Sequence, residues 1–263
     1  MAITARHGTM VVVVQTKDGL LVRADKRRVE KNPVRGDTFV DDVVKILEIP
    51  SKAGFFSMGA TSFCIAETGE TIFDADQTAR EFWQRKTPTN APELAEFQRY
   101  MIEAMKAYFR RVRWDFWPDT RMVDGEPVLF DIVLFFVHSG RIMTLDYQFL
   151  YRKEDGFVGS QLKDYSGFSG PFGGGKTCHR LCISTEPDEE FEAYREEAII
   201  AECRAVFGPK PPLIDTDIAR EYAKRLIEIA SQHEYGSALS TISPTSDCAL
   251  LSVANGFQWL FQA

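Results

Sequence analysis

The sequence predicts an α+β domain built as a four-layer αββα sandwich, two antiparallel sheets stacked face to face with a helix pair on each outer side. Three observations predict it. Short runs rich in β-branched and aromatic residues come in pairs joined by turn residues, which marks antiparallel neighbours. Helical periodicity falls in two separate blocks. The resulting order is strands, two helices, strands, two helices, strands, which is not the βαβ alternation of a parallel doubly wound sheet.

The elements follow in chain order. Val11–Val14 and Leu20–Val22 flank Lys17-Asp18-Gly19, and Asp-Gly is a hairpin turn signal. Thr9 opens the first of these strands and Asp25 closes the second, so the hairpin brings a hydroxyl and a carboxylate together. Residues 41–49 (DDVVKILEI) and 54–59 (GFFSMG) read as a second strand pair around Pro50-Ser51, and 62–73 as a short hairpin turning at Thr68-Gly69. Asp74 is placed to cap a helix running through Arg85. Pro92 fits the first turn of the next helix, where Leu94, Phe97, Met101, Met105 and Tyr108 share one apolar face. Residues 128–138 and 142–151 form a hairpin around Ser139-Gly140. Residues 153–177 are polar and glycine-rich and read as mostly loop. Helices are expected over Glu189–Phe207 and from Asp215 or Thr216 onward, the latter with Ile218, Tyr222, Leu226 and Ile229 as its stripe. Residues 248–261 close the chain as a hairpin turning at Asn255-Gly256.

With 263 residues, 44% hydrophobic and 26% charged, the chain suits one large domain with a sizeable core. A net charge of −7 argues against a polyanionic partner, and Arg110, Arg111 and Arg113 read as the solvated edge of a helix end, not a nucleic-acid patch. The five cysteines are an odd number with no framework spacing. Residues 1–8 lack the apolar core of a signal peptide. No apolar stretch approaches the roughly 20 residues that span a bilayer. A cytoplasmic protein with free thiols, acting on neither membrane nor nucleic acid, is the expectation.

Two local motifs are weak. Residues 170–177 (GPFGGGKT) match the phosphate-loop pattern, but the entry segment is not an apolar strand and the exit is not a helix. A glycine-rich loop is the simpler account. Cys178, His179 and Cys182 lack a second ligand pair for zinc. Neither a cofactor nor a metal is implied.

The N-terminal constellation is stronger. Lys45 sits in an apolar run, VVKILEI, where burial and nearby charge lower a lysine pKa and make it useful in catalysis. Taken singly, Thr9, Asp25, Lys45 and Gly59 each have an ordinary structural explanation. Their joint spacing resembles the proteasome β-subunit family of N-terminal nucleophile hydrolases, which includes the bacterial HslV peptidase. Gly8-Thr9 matches the threonine that opens the mature chain, Arg23-Ala24-Asp25 the strand ending in aspartate, Lys45-Ile46 the lysine, and Ser57-Met58-Gly59 the strand whose last amide binds an oxyanion. Residues 222–237 resemble the last helix, with Glu234 where the family has aspartate and Ser237 where it has serine. Several features depart from the pattern: Met10 after Thr9, a longer stretch between Asp25 and Lys45, the extra hairpin 62–73, and the segment 165–177.

The resemblance implies a divergent proteasome-like chain in which residues 1–8 are a self-cleaved leader and 9–263 a single domain. It implies a threonine peptidase acting on peptides or unfolded protein inside a homo-oligomeric, stacked ring. Thr9 would be the nucleophile, Asp25 and Lys45 its electrostatic partners, Gly59 the oxyanion donor, and Glu234 and Ser237 the groups that orient the α-amine. Two alternatives stay open: a ring protein without peptidase activity, and an N-terminal nucleophile amidohydrolase acting on small amides. Side-chain preference, ring size and any feeding ATPase leave no mark in the sequence. Tyr100, Phe109, Trp114, Ile227 and Tyr235 lie off the main helix stripes and are expected to face neighbours in the ring.

Overall fold

The computed structural model describes residues 3–7, 10–50, 52–88, 91–110, 121–123, 125–152, 155–173, 181, 189, 191–207, 209–233 and 242–262. It is a mixed α/β fold with three antiparallel sheets among the described residues.

The first of the two larger assemblies centres on the N-terminal hairpin. Strands β2 (Met10–Gln15) and β3 (Leu20–Asp25) pair with Val13 opposite Val22. The Thr16 amide donates to the Gly19 carbonyl (2.7 Å), which closes the turn. Strands β15 (Ser246–Ser252) and β16 (Gly256–Phe261) extend this sheet beyond β3, and β14 (Gly170–Gly173) extends it beyond β2. The second sheet runs in the order β13 (Phe157–Asp164), β12 (Arg141–Arg152), β11 (Glu126–His138), β7 (Ala53–Gly59), β6 (Leu47–Ile49), with β10 (Arg121–Val123) beside β11. Alternation along these strands separates two apolar faces. Val11, Val13, Val22, Phe56, Val133 and Phe135 belong to one buried cluster shared by both sheets.

The opposite faces meet helices. Helix α1 (Ala75–Trp83) is capped by the Asp74 carboxylate, which accepts from the Gln77 amide, and helix α2 spans Ala91–Phe109. Trp83, Phe97 and Met101 pack with Phe55, Ile132 and Tyr147. On the other side, α3 (Glu192–Arg195), α4 (Ala198–Cys203) and α5 (Thr216–His233) cover Val12, Val14 and Leu21 with Ile200, Tyr222 and Leu226. No helix among the described residues is long and apolar enough to cross a membrane.

The third sheet was not anticipated. Its order is β5 (Thr38–Val40), β4 (Arg28–Lys31), β1 (Ile3–His7), β8 (Ser62–Ile65), β9 (Thr71–Asp74). Three of its strands prolong strands of the larger sheets: β1 precedes β2, β4 follows β3, and β8 follows β7.

Four expectations need correction. Residues 41–46 are not strand, and only Leu47–Ile49 pair with β7, because the segment carrying Lys45 leaves the sheet to meet Asp25. The segment expected as mostly loop is mostly strand over its described residues 155–173: β13 and β14 pair with β12 and β2, and Tyr165 meets Phe168 at a tilt and Phe172 edge-on. The helix expected over 189–207 is broken into two short helices and a 3-10 turn at Arg204–Val206. Phe109 and Ile227 are buried in the core, since each extends its helix's apolar stripe sideways instead of facing out. Trp114 and Tyr235 lie outside the described residues.

Candidate active site

The site gathers where the three sheets join. Asp25 ends β3 with no exposed surface, and a buried carboxylate is tolerated only when its lone pairs are met. They are. One oxygen accepts from the Met10 amide (2.7 Å) and from the Lys45 ammonium (2.7 Å). The other accepts from the Arg27 amide (2.9 Å) and the Ser243 amide (3.2 Å). Met10 is the residue directly after Thr9, so the carboxylate is anchored one peptide unit from the candidate nucleophile.

Lys45 reaches Asp25 because the segment 41–46 folds back across the end of β3. The Val43 amide donates to the Lys26 carbonyl (3.0 Å), and Asp42 takes a positive φ of 67° to make the turn. Outside, the Arg27 guanidinium grips Asp41 through both carboxylate oxygens (2.7 and 3.0 Å), holding Asp41 below the usual carboxylate range. Lys45 itself is 7% exposed. Burial pulls its pKa below that of an ordinary lysine, while the Asp25 carboxylate opposes the shift. The pair is therefore an ammonium–carboxylate contact whose proton is held less tightly than in water.

Gly59 closes β7 opposite Phe130, with φ of +83°. A Cβ there would stand 2.7 Å from the Leu129 carbonyl oxygen, so the position requires glycine. Ser57, on the same face of β7 two residues earlier, donates to Asp76 at 2.5 Å. Asp76 is half-buried, and desolvation raises its pKa. Its charge also acts on Lys45. Sequence reasoning missed Ser57 and Asp76. A capped helix start three residues past a hairpin was the available signal, since it brings Asp76 onto the wall of a 310 Å³ cavity with Arg28, Val44 and Leu47. It also missed the amides of Met10, Arg27 and Ser243, and backbone donors carry no residue-type signature.

On the other flank, Gly173 pairs with Met10, and Met58, Asp146, Gln148, Lys163 and Gly173 share the wall of a 350 Å³ cavity. Thr9, Glu234 and Ser237 lie outside the described residues, as do residues 174–177 of the glycine-rich segment and Cys178, His179 and Cys182. Among the described residues, Cys64, Cys203 and Cys248 are free and buried. Burial pushes the thiols of Cys203 and Cys248 up to about 11, which disfavours either as a nucleophile. No group of three or more metal-binding side chains occurs among the described residues.

No protein-family model matches the chain, and no curated protein sequence matches it. Among solved structures it is similar to the Anbu (Gly-1) mutant from Hyphomicrobium sp. strain MC1, with a TM-score of 0.44 and 11% identity over 97% of this chain and 86% of that one.

Proposed function

We propose that this chain is a proteasome-like N-terminal nucleophile hydrolase that cuts peptide bonds with the Thr9 hydroxyl. One observation carries the reading: a buried Asp25–Lys45 ion pair is tied to the amide that follows Thr9 in the chain. An ion pair placed there serves a hydroxyl that must lose its proton. The three apolar clusters support the accompanying αββα layering, with one cluster shared by the two larger sheets and one on each outer side.

In self-processing, the Thr9 hydroxyl attacks the Gly8 carbonyl. The acyl group moves from nitrogen to oxygen, leaving an ester and a free Thr9 amine. Water then cleaves the ester into a Gly8 carboxylate and a regenerated hydroxyl. In peptide hydrolysis the same amine, with an ordinary pKa of roughly 7.7–8.0, takes the hydroxyl proton and passes it to the leaving amine. Lys45 holds positive charge beside the developing alkoxide, and Asp25 orients it. The Gly59 amide receives the oxyanion, a donor whose loss costs about 3 kcal/mol in other enzymes. Glu234 and Ser237 orient the amine. Substrates are peptides or unfolded protein, and a cytoplasmic homo-oligomeric ring of stacked layers encloses the threonines.

The test is denaturing intact mass together with peptide hydrolysis, for the wild type and Thr9→Ala. Loss of residues 1–8 and turnover in the wild type, both abolished in Thr9→Ala, is the expected result. Equal turnover in the two proteins would end the reading. A second reading, a ring protein without peptidase activity, is favoured by the pairing of Ile3–His7 on both sides within a sheet. It predicts an uncut chain and no turnover. An amidohydrolase would be cut but would turn over small amides only.

A further inference from the structure

Strands β4 and β8 do not pair with each other. Each pairs antiparallel with β1, which lies between them. With neighbouring strands about 4.8 Å apart, the gap between β4 and β8 is about 9.6 Å, the width of one extended chain. Arg6 shows how completely the gap is filled. It stands opposite Glu30 on one side and Ser62 on the other. Its carbonyl accepts from the Thr61 amide (3.1 Å), and its side chain forms an ion pair with Glu30 (2.7 Å). Ile3 and Ala5 have no exposed surface and belong to the cluster that holds Phe63 and Phe73.

We infer that the slot between β4 and β8 is a peptide-binding site whose ligand is the chain's own residues 3–7, retained whether or not the Gly8–Thr9 bond is intact. Only the clause about a cut bond rests on the proposed function. Hydrolysis there adds water across one peptide bond and touches neither ladder, neither buried side chain, nor the Arg6–Glu30 pair. A departing segment would expose two facing rows of unpaired backbone groups and leave a void where Ile3 and Ala5 packed. The slot adjoins the candidate site: β4 begins three residues after Asp25, and β8 begins three residues after Gly59. The cut protein is then a two-chain complex in which the severed segment stays beside the threonine it released.

Wild-type protein is passed through gel filtration in native buffer, and the folded peak is then read by denaturing mass spectrometry. If the bond is cut, residues 1–8 are expected in equal amount with residues 9–263. A folded peak containing residues 9–263 alone overturns the inference. If the chain is intact, self-processing has failed but the slot has not, and hydrogen exchange decides. Amides of β4 and β8 are expected to exchange slowly in the wild type and at least about tenfold faster in full-length Ala5→Asp, with β2 and β3 unchanged. Free peptide of sequence MAITARHG should restore the slow exchange. Fast exchange of β4 and β8 in the wild type, no acceleration in the variant, or no restoration at millimolar peptide would each overturn it. Should Ala5→Asp fail to fold, Ile3→Ala carries the same measurement with a smaller void.

Discussion

At the scale of single residues, the Asp25–Lys45 pair decides how the site tolerates change. Two opposite charges share a dry position, and the carboxylate also accepts three backbone N–H groups. Lys45→Met removes the ammonium at similar volume and strands a buried carboxylate. Breaking such a pair costs about 3–5 kcal/mol, whereas removing both charges is often close to neutral. Urea unfolding should therefore show a large loss for Lys45→Met and recovery of only part of it in Lys45→Met/Asp25→Asn, because the Asn nitrogen cannot accept the backbone N–H that one carboxylate oxygen held. Both proteins should lack peptidase activity. If the double variant is as unstable as the single one, the loss comes from packing and not from the pair. Asp76 gives a pH test of opposite character. Its folded pKa is raised, chiefly by burial. The fold thus favours protonation more than the unfolded chain does, and the resulting stabilising share is present below the ordinary carboxylate value and lost as pH rises through the raised one. Asp76→Asn cannot titrate and keeps a partner for Ser57. Urea midpoints of variant and wild type should coincide in acid, and the variant should become the more stable as pH climbs. Parallel profiles would show that desolvation does not raise the Asp76 pKa.

At the scale of elements, what the sequence disclosed depended on how local the signal was. The β2–β3 hairpin, the Asp74 cap and the β11–β12 hairpin were legible because turn chemistry and periodicity lie within a few residues. The course of residues 41–46 was not, because an apolar run reads as strand and only the long-range attraction of Lys45 for Asp25 draws it away. Strands β13 and β14 were hidden because edge strands need little apolar content. The third sheet was present in the sequence as exceptions. The stretch between Asp25 and Lys45 and the hairpin 62–73 looked like insertions and the residues before Thr9 like a leader, and together they supply the strands of one sheet. Thr9, Asp25, Lys45 and Gly59 were singled out by their spacing, and Asp25 and Lys45 are in direct contact. Gly59 tests the joint between β7 and β8. Alanine would adopt a left-handed conformation costing about 1–3 kcal/mol and press its Cβ on the Leu129 carbonyl. Gly59→Ala should melt lower, by roughly 2–4 °C for each kcal/mol lost in a chain of this size. An unchanged melting temperature would mean that the bend after β7 is not fixed by the fold.

At the scale of the whole molecule, the proposed peptide hydrolysis calls for a restraint on which chains reach the site. Burial of Phe109 and Ile227 removes two of the residues expected to face neighbours in a ring. Among the described residues, exposed Tyr100, Met122 and Leu213 lie on helix α2, strand β10 and a loop, and exposed Phe157 and Leu162 lie five residues apart on β13. Apolar residues exposed singly are normal on a monomer and mark no interface by themselves. Confinement therefore carries the case. Nothing in a threonine hydroxyl with a lysine–aspartate pair distinguishes one unfolded chain from another, so selectivity has to come from access. Within one chain, access is limited by the third sheet, whose central strand lies beside the site. That covers one approach and leaves the flank at Met58 and Gly173 open through a 350 Å³ cavity. A ring that turns this flank inward would close it. Light scattering of fresh protein at micromolar concentration should accordingly give a mass many times the 29.8 kDa of one chain, with stacked rings as the expected form. A monomer that hydrolyses peptides would defeat both the ring and the confinement argument. A ring that hydrolyses none would favour the inactive alternative and leave the strand in its slot as the reason.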